Sequence, residues 1–128
     1  NVIDKFPFAS DTNATDVGDL TVARLGAAGQ SSDASGYSSG GNLPGATNVI
    51  DKFPFASDAN ATDVGDLTVA RRAVTAGQSS DVSGYSSGGF TGSVYTNVID
   101  KFPFASDANA TDVGNLTVAR REVAGQQI

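Results

Sequence analysis

The segment NVIDKFPFAS occupies residues 1–10 of the 128-residue sequence, and identical copies occupy residues 48–57 and 97–106. Each copy leads into TDVGDLTVAR or a one-residue variant of it, which ends at Arg24, Arg71 and Arg120. The segments AGQSSD and SGYSSGG follow the first two copies. Self-similarity at a fixed period is the signature of a repeat architecture. The chain is therefore one repeat array, with repeat 1 at 1–47, repeat 2 at 48–96 and a partial repeat 3 at 97–128.

The repeat length of 47 to 49 residues is typical of propeller blades or of paired-helix solenoid units. Helix is disfavoured because Gly and Pro interrupt the sequence at short intervals and no helical apolar stripe is sustained. We expect four short strands per repeat, at 2–8, 16–23, 27–32 and 36–40 in repeat 1. Apolar residues on both faces of these strands predict sheets covered on both sides, as stacked blades are.

The order of segments after each repeat arginine resembles the kelch repeat. A small-residue strand follows Arg24, then Tyr37 shortly before the pair Gly40-Gly41, then a strand at 49–53 and a last strand ending at Arg71. Phe-Pro-Phe stands where kelch units carry a Trp. The resemblance implies a β-propeller blade whose small strand is innermost. It implies no particular chemistry, because similar propellers include enzymes, scaffolds and extracellular binding proteins.

The number of predicted strands is too small for a closed ring. Propellers usually close with 4 to 8 blades of four strands, whereas the sequence predicts eleven strands. We therefore expect an all-β fold of β-propeller blades, each of four antiparallel strands, with the ring closed by oligomerisation as six blades from two chains. An end-to-end homodimer would make the protein its own partner. The alternative is that the repeats are consecutive blades of a longer chain.

Composition excludes several classes of function. The net charge is −6, with only 8 Lys+Arg, and the sequence contains neither Cys nor His. A nucleic-acid or anionic-membrane partner is not expected, because phosphate binding needs a basic surface. Without Cys and His we expect no ordinary zinc, haem or iron–sulfur cofactor, and the usual general base is missing. The protein is predicted not to be an enzyme.

Three repeated motifs could carry chemistry but are interpreted as structural. The segment 36–40 matches the G-x-S-x-G nucleophile elbow, but no helix is expected after it, so we predict an ordinary strand. The pattern Asp-x-Asn-x-Thr-Asp at 11–16 places oxygens as calcium loops do, yet it lacks their Gly and Glu; we expect a turn, with calcium as the alternative. The repeat arginines are expected to bond turn carbonyls or a neighbouring blade's carboxylate, and the following Arg72 and Arg121 to be solvated.

The copies differ mainly in one set of loops. NLPGAT at 42–47 becomes FTGSVYT at 90–96, and these loops are predicted to lie on the same face as 24–27. Loops on a rigid scaffold often carry recognition. The sequence therefore predicts a non-enzymatic binding module for a glycan or surface polymer, located extracellularly or on a virion surface. The alternative is a purely structural or designed self-assembling repeat protein without a ligand. The candidate binding residues are Asn42, Leu43, Phe90, Val94 and Tyr95.

Overall fold

The computed structural model of the chain describes residues 1–73, 76–122 and 124–125. The described residues form β-strands and connecting turns and contain no helix, and so none that could span a membrane. The strands are β1 (Val2–Lys5), β2 (Thr15–Asp19), β3 (Ala28–Ser31), β4 (Ser35–Ser39), β5 (Asn42–Leu43), β6 (Gly45–Ala46), β7 (Val49–Pro54), β8 (Thr62–Asp66), β9 (Ala76–Ser79), β10 (Ser83–Ser87), β11 (Val98–Pro103) and β12 (Thr111–Asn115). The strand predicted over 123–128 falls largely outside the described residues.

Ten of the strands form three antiparallel sheets. Sheet 1 contains β1 and β2, sheet 2 has the order β3-β4-β7-β8, and sheet 3 has the order β9-β10-β11-β12. The remaining two strands, β5 and β6, form a small hairpin between β4 and β7. The prediction of an all-β fold with four-stranded antiparallel units is confirmed. Within the described residues the sheets do not close into a barrel or a propeller.

Two predicted strand boundaries are wrong. The strand predicted at 2–8 ends at Lys5, whereas its copies β7 and β11 extend to Pro54 and Pro103 because a strand of the same sheet pairs with them there. Sheet 1 has no such strand on that side of β1. The strand predicted at 16–23 ends at Asp19, because the chain then leaves its sheet and Thr21 donates hydrogen bonds to Asp51 of sheet 2.

A bulge recurs in the strand that contains the VIDK segment. The pairing register shifts between Ile3 and Asp4, and again at the matching positions in β7 and β11. A bulge bends a strand and re-aims the side chain beside it. In sheets 2 and 3 the aspartate beside the bulge, Asp51 or Asp100, is completely buried. The bulge therefore places a charged side chain inside a junction between sheets.

The apolar core lies between sheets 2 and 3. The Tyr37 ring of β4 stacks on Phe104 with centroids 4.9 Å apart and lies 5.6 Å from the Phe102 ring. The buried core cluster consists of Tyr37, Ile50, Leu67, Phe102 and Ala110, with Val64 and Phe104 packed against it. The repeated aromatic segment thus packs on the preceding sheet through the tyrosine of that sheet's second strand.

The small-residue strands β3 and β9 lie directly against each other. Ser31 N donates to Ser79 Oγ at 2.9 Å, and Gln30 Nε2 donates to the Tyr85 carbonyl at 2.9 Å. The backbone of Gly29 approaches Gly77 so closely that a Cβ on Gly77 would overlap the Gly29 carbonyl oxygen. Small side chains are therefore required where the two sheets converge.

Candidate functional site

The variable loops contact one another at one end of the sheets. Leu25 and Asn42 exchange backbone hydrogen bonds of 3.1 and 2.8 Å, and Arg72 and Phe90 exchange two bonds of 2.9 Å. In both cases the residue after a repeat arginine pairs with the loop that joins the second and third strands of the next sheet. The grouping of these loops on one face, predicted from strand alternation, agrees with this arrangement.

The same loops turn through a left-handed backbone position in each repeat. The φ angles are 64° at Gly26, 46° at Ala73 and 58° at Glu122. Only Gly adopts such angles without steric cost, because a Cβ crowds the carbonyl oxygen in this region. The turn is therefore imposed by the junction rather than by the local residue type at Ala73 and Glu122.

A cluster of aromatic and cationic side chains forms on this surface. The Arg72 guanidinium lies 5.2 Å from the Phe90 ring centroid, and its Nη1 donates to Asn42 Oδ1 at 3.2 Å. The Phe90 and Tyr95 rings have centroids 5.4 Å apart, and the Arg121 guanidinium lies 5.6 Å from the Tyr95 ring. We call Asn42, Arg72, Phe90, Tyr95 and Arg121 the loop cluster.

The loop cluster contains three of the five predicted binding residues, Asn42, Phe90 and Tyr95. Leu43 is half-buried in the hairpin beside it, and Val94 is exposed in the turn closed by Thr91 N to Val94 O at 3.0 Å. The expectation that Arg72 is simply solvated is wrong, because it is half-buried between Asn42 and Phe90. The sequence feature that could have indicated a role for Arg72 and Arg121 is their position directly after a repeat arginine, next to the variable loops.

The loop cluster offers flat rings, planar cations and an amide on one surface. Aromatic faces provide apolar contact area, and guanidinium groups donate paired hydrogen bonds to carboxylates. Lys5 and Lys52 instead pair with Asp58 and Asp107, at 3.3 and 3.0 Å, at the opposite end of the strands. The cluster can therefore hold a ligand that presents both an apolar ring face and an acidic group.

A second repeated arrangement lies inside the junctions between sheets. Asp51 accepts hydrogen bonds from Thr21 N at 3.0 Å, Thr21 Oγ1 at 2.7 Å and Arg24 Nη2 at 2.8 Å. Arg24 Nη2 also donates to the Ser38 carbonyl at 3.0 Å. We call this set, a threonine and an arginine of one sheet holding an aspartate of the next, the junction clamp. The prediction that repeat arginines bond a neighbouring carboxylate is confirmed here.

The same clamp recurs between sheets 2 and 3. Thr68 N and Oγ1 donate to Asp100 at 3.0 and 2.6 Å, and Arg71 Nη2 lies 2.9 Å from Asp100 Oδ2. All four charged side chains of the two clamps are fully inaccessible to solvent. Burial lowers the pKa of both arginines, and the paired aspartate opposes that shift. These ion pairs hold the sheets together, and each of the two carboxylates is occupied by a threonine and an arginine.

Residues of the motifs interpreted as structural take part in strand pairing and in turn hydrogen bonds. Ser38 lies in the middle of β4, paired with Gly29 and Asp51, and another strand follows it, so the strand interpretation is confirmed. In the Asp-x-Asn turns, Asn60 Oδ1 accepts from Asp19 N at 3.0 Å and Asp63 Oδ1 accepts from Gly65 N at 3.1 Å. No group of three or more potential metal ligands occurs in the part of the chain that the structure describes.

An open apolar cavity of about 590 Å³ lies between sheets 1 and 2. Phe6 and Phe8 line one side, and Phe53 and Phe55 line the other. Phe53 and Phe55 correspond to Phe102 and Phe104, which pack on Tyr37 between sheets 2 and 3. In the junction between sheets 1 and 2, the cavity therefore lies at the place that Tyr37 fills in the junction between sheets 2 and 3. Nothing in the sequence patterns singled it out.

Comparison with known proteins gives no relative from which a function could be transferred. No protein-family model matches the sequence, and no curated protein matches it.

Proposed function

We propose that the protein is a non-enzymatic, kelch-like β-propeller binding module that recognises a glycan or surface polymer through the loop cluster. In this proposal the protein acts extracellularly or on a virion surface. The observation that supports it is the assembly of Arg72, Phe90 and Tyr95 into one surface on the face where the repeats differ. The rest of each repeat is nearly invariant and is used for strand pairing and for the junctions between sheets.

The chemistry of the loop cluster favours an acidic polysaccharide. A sugar ring can pack its apolar face on Tyr95, whose side chain is about half exposed, while Arg121 beside it donates to a carboxylate. Individual sites of this kind are weak. Several sites carried on one assembly would act together on a polymer, since linked weak sites gain avidity.

A non-catalytic role is supported by how the acidic side chains are used. Catalytic carboxylates work as unlike partners with separated pKa values. In this chain the two fully buried carboxylates, Asp51 and Asp100, have the same environment and are each held by an arginine and a threonine. They are equivalent structural groups rather than an acid and a base.

The binding proposal is tested by calorimetric titration with alginate, a soluble uronic-acid polymer, and with neutral dextran as the comparison. We expect heat with alginate, and we expect Tyr95→Ala to weaken binding about tenfold because the exposed ring face is lost. Val82→Ala is the control, because Val82 is also exposed (67%, against 51% for Tyr95) but lies at the other end of β10. No heat with alginate, or equal affinities for wild type and Tyr95→Ala, would overturn the proposal.

The second candidate is a structural or designed self-assembling repeat protein without a ligand. It is favoured by the junction clamp, which repeats with the same partners between successive sheets. The two candidates differ in one measurable respect. A protein that assembles stably but gives heat with neither alginate nor dextran belongs to the second class.

A further inference from the structure

Each junction clamp joins one sheet to the next, and the two outer sheets each carry one unused half of it. The aspartate that corresponds to Asp51 and Asp100 is Asp4 on sheet 1, which is exposed. No described residue donates a hydrogen bond to its carboxylate. The matching donors on sheet 3 are Thr117 and Arg120, both exposed, and the guanidinium of Arg120 bonds only the Val118 carbonyl, at 3.2 Å.

The surface ion pairs between sheets show the same pattern. Lys5 of sheet 1 pairs with Asp58 of sheet 2 at 3.3 Å, and Lys52 of sheet 2 pairs with Asp107 of sheet 3 at 3.0 Å. The next lysine in this series, Lys101, has no carboxylate within ion-pair distance in the described chain. The first aspartate of the series, Asp11, is likewise exposed and unpaired there.

Hydrogen bonds from backbone amides to asparagine side chains also connect the sheets, and one donor position and one acceptor position of this kind are left without a partner. Asp19 N and Asp66 N donate to the side-chain oxygens of Asn60 and Asn109, each at 3.0 Å. Asn115 holds the corresponding donor position on sheet 3, and Asn13 holds the corresponding acceptor position on sheet 1. Neither of these two groups has a partner across a junction in the described residues.

The close backbone contacts between sheets show the same pattern. A Cβ on Gly18 or Gly65 would meet the backbone of Ala59 or Ala108 in the following sheet at 2.5 to 2.6 Å. Gly114, the third glycine of this set, has no atom within 4 Å of the same position. Sheet 3 therefore presents a backbone surface shaped for close approach, and the described chain does not cover it.

Aromatic residues at the two ends are complementary as well. Tyr37 packs on Phe102 and Phe104 of the next sheet. Tyr85 holds the same position in sheet 3, while Phe6 and Phe8 hold the receiving positions in sheet 1 and are 56% and 96% exposed. Exposed apolar side chains next to unpaired polar groups are typical of an association surface.

We propose that the outer face of sheet 3 docks on the outer face of sheet 1 of a second copy of this chain. Thr117 and Arg120 of one copy then hold Asp4 of the other in a third junction clamp. The occupant is a second copy because the NVIDKFPFAS segment of sheet 1 is identical to the segments that form the receiving side of both internal junctions. This contact is heterologous, so two copies satisfy both outer faces only by closing a ring. The proposal does not depend on polymer binding by the loop cluster.

The test uses charge reversal on both sides of the proposed clamp. We expect the wild type to sediment at twice its 12.9 kDa chain mass at micromolar concentration. Asp4→Arg alone places two cations in each junction, and Arg120→Asp alone places two anions there. Each single variant is expected to weaken association at least a hundredfold. Because these side chains are exposed in the single chain, each variant is expected to keep the wild-type circular dichroism.

Mixing the two single variants gives the decisive result. A mixed pair contains one unchanged clamp and one charge-reversed clamp, so the mixture is expected to recover the doubled mass that each variant lacks alone. Asp33→Arg carries the same charge change on an exposed turn of sheet 2 and is expected to associate like wild type. A monomeric wild type, or single variants with unchanged mass, or a mixture that stays monomeric would overturn the proposal. Larger assemblies that both single variants abolish would support the docking surface with a different ring size.

Discussion

The buried aspartate of the junction clamp shows how one residue decides whether two sheets pack. Asp51 and Asp100 each accept two hydrogen bonds from a threonine and one from an arginine, which compensates much of the cost of burying the carboxylate. The compensation is less complete for the cations, because Nε and Nη1 of both buried arginines have no described partner. A clamp of this kind contributes little net stability by itself, but removal of one partner leaves an unpaired buried charge.

Asp100→Ala is therefore expected to lower the free energy of unfolding by about 3–5 kcal/mol, because Arg71 is left charged and buried. The measurement is urea denaturation followed by circular dichroism. The double variant Arg71→Met, Asp100→Leu removes both charges and is expected to regain most of the loss. Asp81→Ala, in an exposed turn, is the control and is expected to change stability by less than about 0.5 kcal/mol. A loss below about 1 kcal/mol for Asp100→Ala would contradict the assigned role of the clamp.

The left-handed residue two positions after each repeat arginine leads to a prediction of increased stability. Ala73 has a φ of 46° where repeat 1 has Gly26 at 64°. An L-residue in this region costs about 1–2 kcal/mol, and replacement by Gly relieves that cost while increasing the entropy of the unfolded chain. Ala73→Gly is expected to stabilise the fold by about 0.5–1 kcal/mol and to raise Tm by a few degrees.

The control for this prediction is Ala23→Gly. Ala23 is exposed, lies in the irregular segment directly before Arg24 and does not have a positive φ. There the substitution adds only unfolded-state entropy, so a small loss of stability is expected. Equal changes in Tm for Ala73→Gly and Ala23→Gly would show that the left-handed turn is not a source of strain.

At the scale of strands and sheets, the repeat order of the sequence predicted the pairing within each unit. The small strand, the Gly-Tyr strand, the VIDK strand and the last strand form one antiparallel sheet twice over. Strand lengths were predicted less well. The last strand ends at Asp19 rather than at residue 23 because Thr21 and Arg24 contact the next sheet. Such a contact is between repeats, so the pattern within one repeat does not contain it.

The loop cluster was predicted only in part for a similar reason. Sequence differences between copies indicated the variable loops and their aromatic residues, Phe90 and Tyr95. They also included Arg72, which replaces Leu25 in the second copy, but they did not indicate its contacts, because these come from two loops of different repeats, through Asn42 and Phe90. The cavity between sheets 1 and 2 depends on which strands a sheet contains and therefore could be found only in three dimensions.

The convergence of β3 and β9 gives a prediction about a pair of glycines. A Cβ on Gly77 would overlap the Gly29 carbonyl, whereas a Cβ on Gly29 would meet no atom within 4 Å. Gly77→Ala is expected to destabilise the protein by about 1–3 kcal/mol, because β3 and β9 must separate to make room for the methyl group. Gly29→Ala is the matched control with the same chemical change, and it is expected to have little effect on the urea midpoint. Equal effects of the two substitutions would contradict the close approach of the sheets.

At the scale of the whole molecule, the junctions between sheets form a series, and the two ends of the series expose complementary groups. Sheet 1 exposes receiving groups such as Asp4 and Phe8, and sheet 3 exposes donating groups such as Arg120. An isolated chain keeps these apolar and polar groups in water. Their docking against a second copy would add a junction like the two internal ones, and the added stability would depend on protein concentration.

If only the folded state associates, Tm of the wild type is expected to rise by about 2–3 °C for each tenfold increase in protein concentration. Phe8 also borders the open cavity between sheets 1 and 2, but it corresponds to Phe104 of the internal junction and is 96% exposed, so Phe8→Ser is expected to reduce that slope while leaving Tm at the lowest concentration nearly unchanged. Val82→Ser, an equally apolar to polar change at a turn of sheet 3 away from the clamp, is expected to keep the wild-type slope. Differential scanning calorimetry over a hundredfold concentration range provides the measurement, and a wild-type Tm independent of concentration would contradict association through the outer sheets.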